Sequence, residues 1–448
     1  MKNRLTRALR LRSGEGRLVL VLSFLLLANA IAGEISGIVS LSNFLDTSES
    51  VNGILVVWAA DMLLMLLMTG LQSLVIDRFD RLTLMRWMAL IFMGAFIVLR
   101  LLMVFGAPEW LTYSMLYLLS TQQLLIFPLF FWILANDLFD MAQTKRLFPG
   151  IAGVGWVGSL LGIGFAAMQP HLFARADVGN EEVLAFSALI YFVVYIVLNI
   201  GFSAVQLRET VHTTETVRET LTEGWGFVKD VPAFRYLAMA LLSLAICDVI
   251  IEFRFLAVSD LAFPTSAQYQ TFYSIYRLSY IVAALLIQTF ISGRIIDKLG
   301  IQHTFLILPS MALLGALWML GWPGIVSAVG GLVLVKLPEY TVDESARKAF
   351  QALVPEERRG RVSVFLDSYL YVGGSLLGIG VLGLTLALGN TAPAMANFYI
   401  YLAIVVAAAL FAVWSIVQLH KVYEESLWNW RLKRRQRRVS SVLDKLDF

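Results

Sequence analysis

The 448-residue chain has one cysteine, four histidines and few charges. Cys247 alone cannot make an intrachain disulfide and reads as a small buried side chain. None of the histidines stands at metal-ligand spacing, so no metal is expected. No glycine-rich loop precedes a Lys-Ser/Thr pair, which excludes the phosphate cradle of an ATP-driven pump. No soluble-enzyme constellation is present; an enzyme is not expected, nor a cofactor. Charged residues are 15% of the chain, where a soluble domain carries about 25%. What fills their place is apolar: 58% of residues are hydrophobic, and mean hydropathy is +0.75. A water-soluble fold could not hide that much apolar surface, so most of it must face lipid.

A helix needs about 20 mostly apolar residues to cross the hydrocarbon core. Windows of that size fall at 18–42, 52–76, 83–105, 109–136, 150–170 and 183–206, then at 234–257, 268–292, 302–321, 324–345, 362–387 and 395–420. The ten-residue alternation of a β-barrel is missing. Twelve helices in an all-α integral membrane protein are the expectation. Every second connection carries the Lys and Arg: Lys2 to Arg17, then Arg78, Arg81 and Arg86, Lys145 and Arg146, Arg208 to Lys229, Arg294 and Lys298, and Arg347 to Arg361. The alternate connections hold none, Arg175 excepted. Positive charge marks the cytoplasmic side, so both termini are expected there, in a plasma (inner) membrane. A cleavable leader ending at Ala28-Asn29-Ala30 is the rival reading of the start. Cleavage there would delete the first span and invert the parity of the rest.

The phrase GSLLGIG occurs at 158–164 and again at 374–380, in span five and span eleven. Asp77 and Asp297 follow spans two and eight at a similar offset. Both repeats suggest a doubled six-span unit: a first bundle at 1–207, a polar connector at 208–233, a second bundle at 234–420 and a basic tail at 421–448. Gly158, Gly162, Gly374 and Gly378 make small-xxx-small ridges, which let helices approach closely. Static packing and sliding during gating would both use them.

The loop Gly293-x-x-x-Asp297-x-x-Gly300 resembles the cytoplasmic-loop signature of the major facilitator superfamily. That resemblance implies two pseudo-symmetric six-helix bundles, with the glycines permitting tight packing and the Asp holding neighbouring helix ends. The first-half copy, with Asp77 and Arg78, has Ser73 and Asp80 where glycines are usual. The stretch FWILANDLFDMAQTKRLFPG, 131–150, resembles the nucleotide (ATP/ADP) translocases and their bacterial relatives through Phe131, Trp132, Ala135, Asn136, Lys145, Arg146 and Phe148. Tyr340, Asp343, Pro355, Arg361, Asp367 and Gly374 follow the same order in the second half with altered gaps. Those carriers typically have a Lys in the first span, among the cations that meet substrate phosphates. This chain has Ala32-Gly33-Glu34-Ile35 instead, and an acid there would repel phosphate.

Ionisable residues inside a span cost about 2.5–3.5 kcal/mol each on insertion scales and are functional candidates by default. Glu34, Asp61, Arg100, Asp248, Glu252, Arg277 and Lys336 are the expected cavity lining, while Arg254 lies near the outer boundary and snorkels. An offset near 218 lays Glu34 over Glu252. Ion pairs that merely lock helices are the alternative for each residue. Pro128 and Pro338 interrupt spans four and ten, where doubled transporters often bind cargo. Gln122 and Gln123 read as partners of neighbouring helices. The loop and gating set is Asp77, Arg78, Asn136, Lys145, Arg146, Gly293, Asp297 and Gly300. The tail, WNWRLKRRQRRVSSVLDKLDF, suits an anchor on inner-leaflet lipids better than nucleic-acid binding, and a cytosolic partner or further domain could follow it. The expected function is secondary transport of a small polar or charged metabolite, nucleotides and other anions included, by alternating access. The alternatives are an efflux carrier for apolar cations by proton antiport, and a non-transporting sensor or scaffold.

Overall fold

The computed structural model describes residues 15–48, 51–75, 79–202, 217–354, 356–388 and 394–443. These residues are helical with short connections, and no strand occurs among them. The first six helices are α1 (Gly16–Thr47), α2 (Ile54–Val75), α3 (Arg81–Val104), α4 (Glu109–Leu138), α5 (Met141–Ala176) and α6 (Glu182–Gly201). A connector helix, Val217–Asp230, precedes α7 (Pro232–Ala262). Then come α8 (Ser266–Leu299), α9 (Ile301–Gly321), α10 (Ile325–Gln351), α11 (Arg358–Leu388) and α12 (Ala394–Leu443). Eleven helices among the described residues are long and apolar enough to cross a membrane. The twelfth expected span is α7, whose 31 residues rise about 46 Å.

Local chemistry moves some helix ends away from the apolar windows. The fifth span was expected from residue 150, yet α5 begins at Met141. Asp140 and Gln143 form a reciprocal cap there: the Gln143 amide N–H donates to Asp140 Oδ1 at 2.7 Å, and Gln143 Oε1 accepts from the Asp140 N–H at 3.0 Å. Two orphan donors are thereby satisfied, so the helix starts before its apolar stretch does. Similarly, Asp80 caps α3 by accepting from the Thr83 N–H at 3.0 Å. At the other end of the chain, α12 continues for 50 residues, about 75 Å, far beyond a bilayer core of about 30 Å. The basic tail therefore extends the last span as helix to Leu443.

The described chain divides into two compact units, Met1–Thr214 with Ser259–Ile281, and Glu215–Val258 with Val282–Phe448. The C-terminal end of α7 and the first half of α8 thus group with the first unit. In that unit α1 is the central helix, packed by α4, α5 and α6 and buried over most of its length. Its hydroxyls serve themselves: Ser36, Ser40 and Ser42 donate to backbone carbonyls three or four residues back, which spares the interior an unpaired O–H. Beside it Tyr191 is fully buried among Phe92, Phe96 and Phe127, its hydroxyl donating to Asn29 Oδ1 at 2.7 Å.

In the second unit three spans contain a single π turn: Gln288–Ser292 in α8, Glu339–Asp343 in α10 and Phe365–Tyr369 in α11. Such turns often mark functional positions, because the extra residue frees backbone groups and re-aims side chains. The connector helix lies on the α11 turn. A Cβ on Gly224 would meet Phe365 at 2.5 Å, so only glycine fits at that approach.

The repeated phrase has matching duties in the two units. A Cβ on Gly158 would sit 2.6 Å from Leu27 O, and one on Gly162 2.9 Å from Ile31 O, so these glycines seat α5 on α1. A Cβ on Gly374 would lie 2.9 Å from Leu242 O, and one on Gly378 3.1 Å from Ile246 Cα, seating α11 on α7. All four contribute close helix packing, as expected of small-xxx-small ridges. Loop glycines behave differently: Gly300 ends a helical segment at φ +75°, whereas a Cβ on Gly293 would meet open space. Tight packing is therefore not what Gly293 supplies in this conformation.

Candidate functional site

Interior charges are paired within each unit. In the first, Arg277 of α8 donates from Nε to Glu34 Oε2 of α1 at 2.8 Å. Glu34 is 5% exposed, and the α5 backbone presses on it, since a Cβ at Gly162 would stand 3.0 Å from Glu34 Cβ. The side chain has been enclosed by the repeated glycine phrase. Seven residues earlier on α8, and on the same face, Gln270 is 1% exposed. Its Nε2 donates to Gln169 Oε1 and, at 2.8 Å, to Ala166 O. Gln169 then donates to Asn180 Oδ1 at 2.9 Å, and Asn180 to Asn43 Oδ1 at 3.1 Å. A chain of amides and one ion pair thus hold the start of α8 to α1 and α5.

Asp61 of α2 is buried, but its partners are neutral: Thr121 Oγ1 at 2.6 Å and Gln122 Nε2 at 2.9 Å donate to Oδ1. Gln123 Nε2 donates to Asn29 O at 3.2 Å. Both glutamines therefore join helices, as their sequence context suggested. Arg100 pairs with Glu182 in the first turn of α6, its side chain 25% exposed. That is a helix-end pair, away from the Glu34 network.

In the second unit Lys336 of α10 reaches Asp248 Oδ1 at 2.7 Å and Glu252 Oε2 at 3.0 Å, both on α7. Asp248 is 4% exposed. Farther along α10, Arg347 Nε lies 2.9 Å from Asp343 Oδ2, and its Nη1 lies 3.3 Å from Asp367 Oδ1. Lys348 Nζ and Gln351 Nε2 also donate to Asp367, at 2.8 and 2.9 Å. Arg361 pairs with Glu223 of the connector helix. Arg254 lies with its guanidinium carbon 3.8 Å from the Phe398 ring centroid and donates to Tyr401 Oη at 3.4 Å, so it is held by aromatics.

The remaining expected residues are placed as follows. Asn136 and Asp297 are exposed. Arg146 pairs with Glu15, which also accepts from Gln143 at 3.1 Å. Asp77, Arg78 and Pro355, and the Lys145 side chain, lie outside the described residues. The expected overlay of Glu34 on Glu252 does not match the glycine contacts: Gly162 faces Glu34 Cβ, and Gly378 faces Val249 Cβ. Sequence reasoning missed Glu339 as an interior acid, and it missed the amide chain. Glu339 follows Pro338 and precedes several charges, a pattern that reads as a helix end; the π turn carries the helix onward. Gln169, Asn180 and Gln270 gave no signal, because isolated amides in apolar runs have no characteristic spacing.

These helices, with ion pairs among their interior charges, define a multi-pass, all-helical membrane protein. Solved structures agree on the fold. A bacterial homologue of the iron transporter ferroportin in its inward-facing state aligns with TM-score 0.65 at 15% identity, covering 91% of this chain and 99% of that one. The nucleoside transporter NupG aligns with TM-score 0.63 at 14% identity, covering 91% and 100%. A POT family peptide transporter aligns with TM-score 0.58 at 13% identity, covering 90% and 96%. No curated protein sequence matches. The model of the TLC ATP/ADP transporter family matches residues 96–323, just over half of the chain, and the chain belongs to that family. It is a transporter, not an enzyme.

Proposed function

We propose that the protein is a secondary transporter for a small charged metabolite, with Arg277 and Lys336 as the cargo-sensing bases and gradients or exchange as the energy source. The observation that carries this reading is the Glu34–Arg277 pair. It is a part-buried charge contact that tethers the first half of α8 to α1, and an anionic cargo could compete for the same guanidinium. Losing the pair together with the Gln270 amide chain would free the Ser259–Ile281 stretch from α1 and α5, which is the kind of step alternating access requires. Both termini are placed in the cytoplasm, on the alternation of basic loops.

The family's description supports nucleotides as one cargo class. The charges temper that. Each interior base already has an acid beside it: Glu34 holds Arg277, and Asp248 with Glu252 holds Lys336. This excess of acids supports a second reading, proton antiport of a cation. A thermal-shift screen of metabolites on detergent-purified protein, followed by uptake in proteoliposomes, separates them. Stabilisation by nucleotides or other anions that disappears in Arg277→Ala supports the first reading. An anion-induced shift left unchanged in that variant removes Arg277 from the site. Stabilisation by organic cations alone supports the second.

A further inference from the structure

The second unit contains a small cavity, about 30 Å3, lined by α7, α9, α10 and α11. That is room for about one water molecule. Most of its wall is apolar, from Leu241, Leu244, Ala245, Leu308, Val335 and Leu366. Its polar wall is Asp248, Glu339, Asp343, Arg347 and Tyr371. Two cations serve this region, and both are committed. Lys336 is taken by Asp248 and Glu252, and Arg347 by Asp343 and Asp367. Both cations also lie near Glu339, yet its Oε2 is buried without a hydrogen-bond partner.

An ionised carboxylate in that position would face two other acids beside an apolar wall, at a cost that Lys336 and Arg347, each already paired with an acid, offset only in part. Taking a proton removes the charge and turns the acceptor into a donor, for which the cavity and the Asp248 and Asp343 carboxylates provide acceptors. A metal cation fits less well, because six of the eleven lining residues offer only hydrocarbon where a cation needs several oxygens, and no group of three acids among the described residues is arranged to hold one. The backbone favours a mobile group. Glu339 opens the π turn Glu339–Asp343 immediately after Pro338, so a proline and a π turn meet at the acid.

We propose that Glu339 is a proton-binding residue, and that the cavity between α7 and α10 is where a proton is taken up and released as cargo moves. Coupling to cargo rests on the transporter reading; proton binding itself does not. The charged groups around Glu339 are Asp248 from α7, and Lys336, Asp343 and Arg347 from α10, with Tyr371 from α11. Ile307–Gly321 of α9 carries no titratable side chain, and Arg294, Asp297 and Lys298 on the Gly293–Leu299 segment are exposed.

Infrared difference spectroscopy of the full chain in lipid, stepped through pH, reads the proton directly. A protonated-carboxyl carbonyl band should rise and fall with pH in the wild type. It should disappear in Glu339→Gln, shift in Glu339→Asp, and persist in Glu344→Gln, whose side chain is exposed. The proposal is overturned if the wild type shows no titrating band, if the band survives in Glu339→Gln, or if sodium displaces it at fixed pH. Should Glu339→Gln fail to fold, an unshifted band in Glu339→Asp overturns it equally. A titrating band in a protein that moves no metabolite would defeat the transporter reading and leave the proton site standing.

Discussion

The pair Glu34–Arg277 is asymmetric, and the asymmetry predicts which partner is dangerous to remove. The Glu34 side chain is 6% exposed and that of Arg277 is 34% exposed. Replacing Arg277 by Ala leaves a carboxylate sealed against α5 with no counter-charge, a change that typically costs about 3–5 kcal/mol. Arg277→Ala should therefore destabilise the protein by about that amount. Glu34→Gln removes the buried charge, leaves an amide oxygen for the guanidinium, and leaves the part-exposed arginine in contact with water. A loss of about 1 kcal/mol is expected. The double change Glu34→Gln with Arg277→Leu should recover most of what Arg277→Ala loses. Thermal unfolding of the three variants in one detergent checks this. Equal losses in both single variants would refute the idea that the arginine is there to offset a carboxylate held in a dry place.

Other expectations follow from single contacts. Gly158→Val and Gly374→Val should each destabilise by about 1–3 kcal/mol through overpacking, read as lower unfolding temperatures. Gly293→Ala should be neutral in the same assay, while Gly300→Ala should cost about 1–2 kcal/mol because its φ is left-handed. Gln122→Leu removes one of two donors to a buried carboxylate and should cost about 1–3 kcal/mol, with Asp61→Asn recovering part of it. Cys247 is fully buried, so maleimide should label it only after unfolding, and Cys247→Ser should give a stable background for labelling.

Some of this was legible in the sequence and some was not, for identifiable reasons. The spans were legible because twenty apolar residues in succession have no other cheap fate than lipid or a deep core. The close helix seats were legible because GSLLGIG is an exact repeat, and small residues at a spacing of four have one geometric use. The interior acids of α1, α2 and α7 stood out against apolar neighbours. Glu339 did not, because a proline and a run of charges after it imitate a helix end. The partner of each charge was the least legible feature. Glu34 meets a residue 243 positions away, and nothing in a local pattern reports a contact at that distance. The ends of helices were illegible where a cap, as at Asp140, overrode the hydropathy.

Register carries the last step. Gly158 seats on Leu27 and Gly374 on Leu242, while Gly162 seats on Ile31 and Gly378 on Ile246; the two members of each backbone seat are separated by 215 residues. The seating of α5 on α1 and of α11 on α7 thus keeps one register. The chemistry does not. In the second unit the place of Glu34 is taken by Val249, and the acid has moved to its neighbour Asp248, one position along the helix and about 100° around it. That rotation turns the acid away from the glycine seat. In the first unit the acid presses against α5 and meets an arginine of α8; in the second it meets a lysine of α10 and borders a cavity. One packing frame therefore holds two unlike charge sites, as expected if one half senses cargo through a breakable ion pair and the other stores a proton.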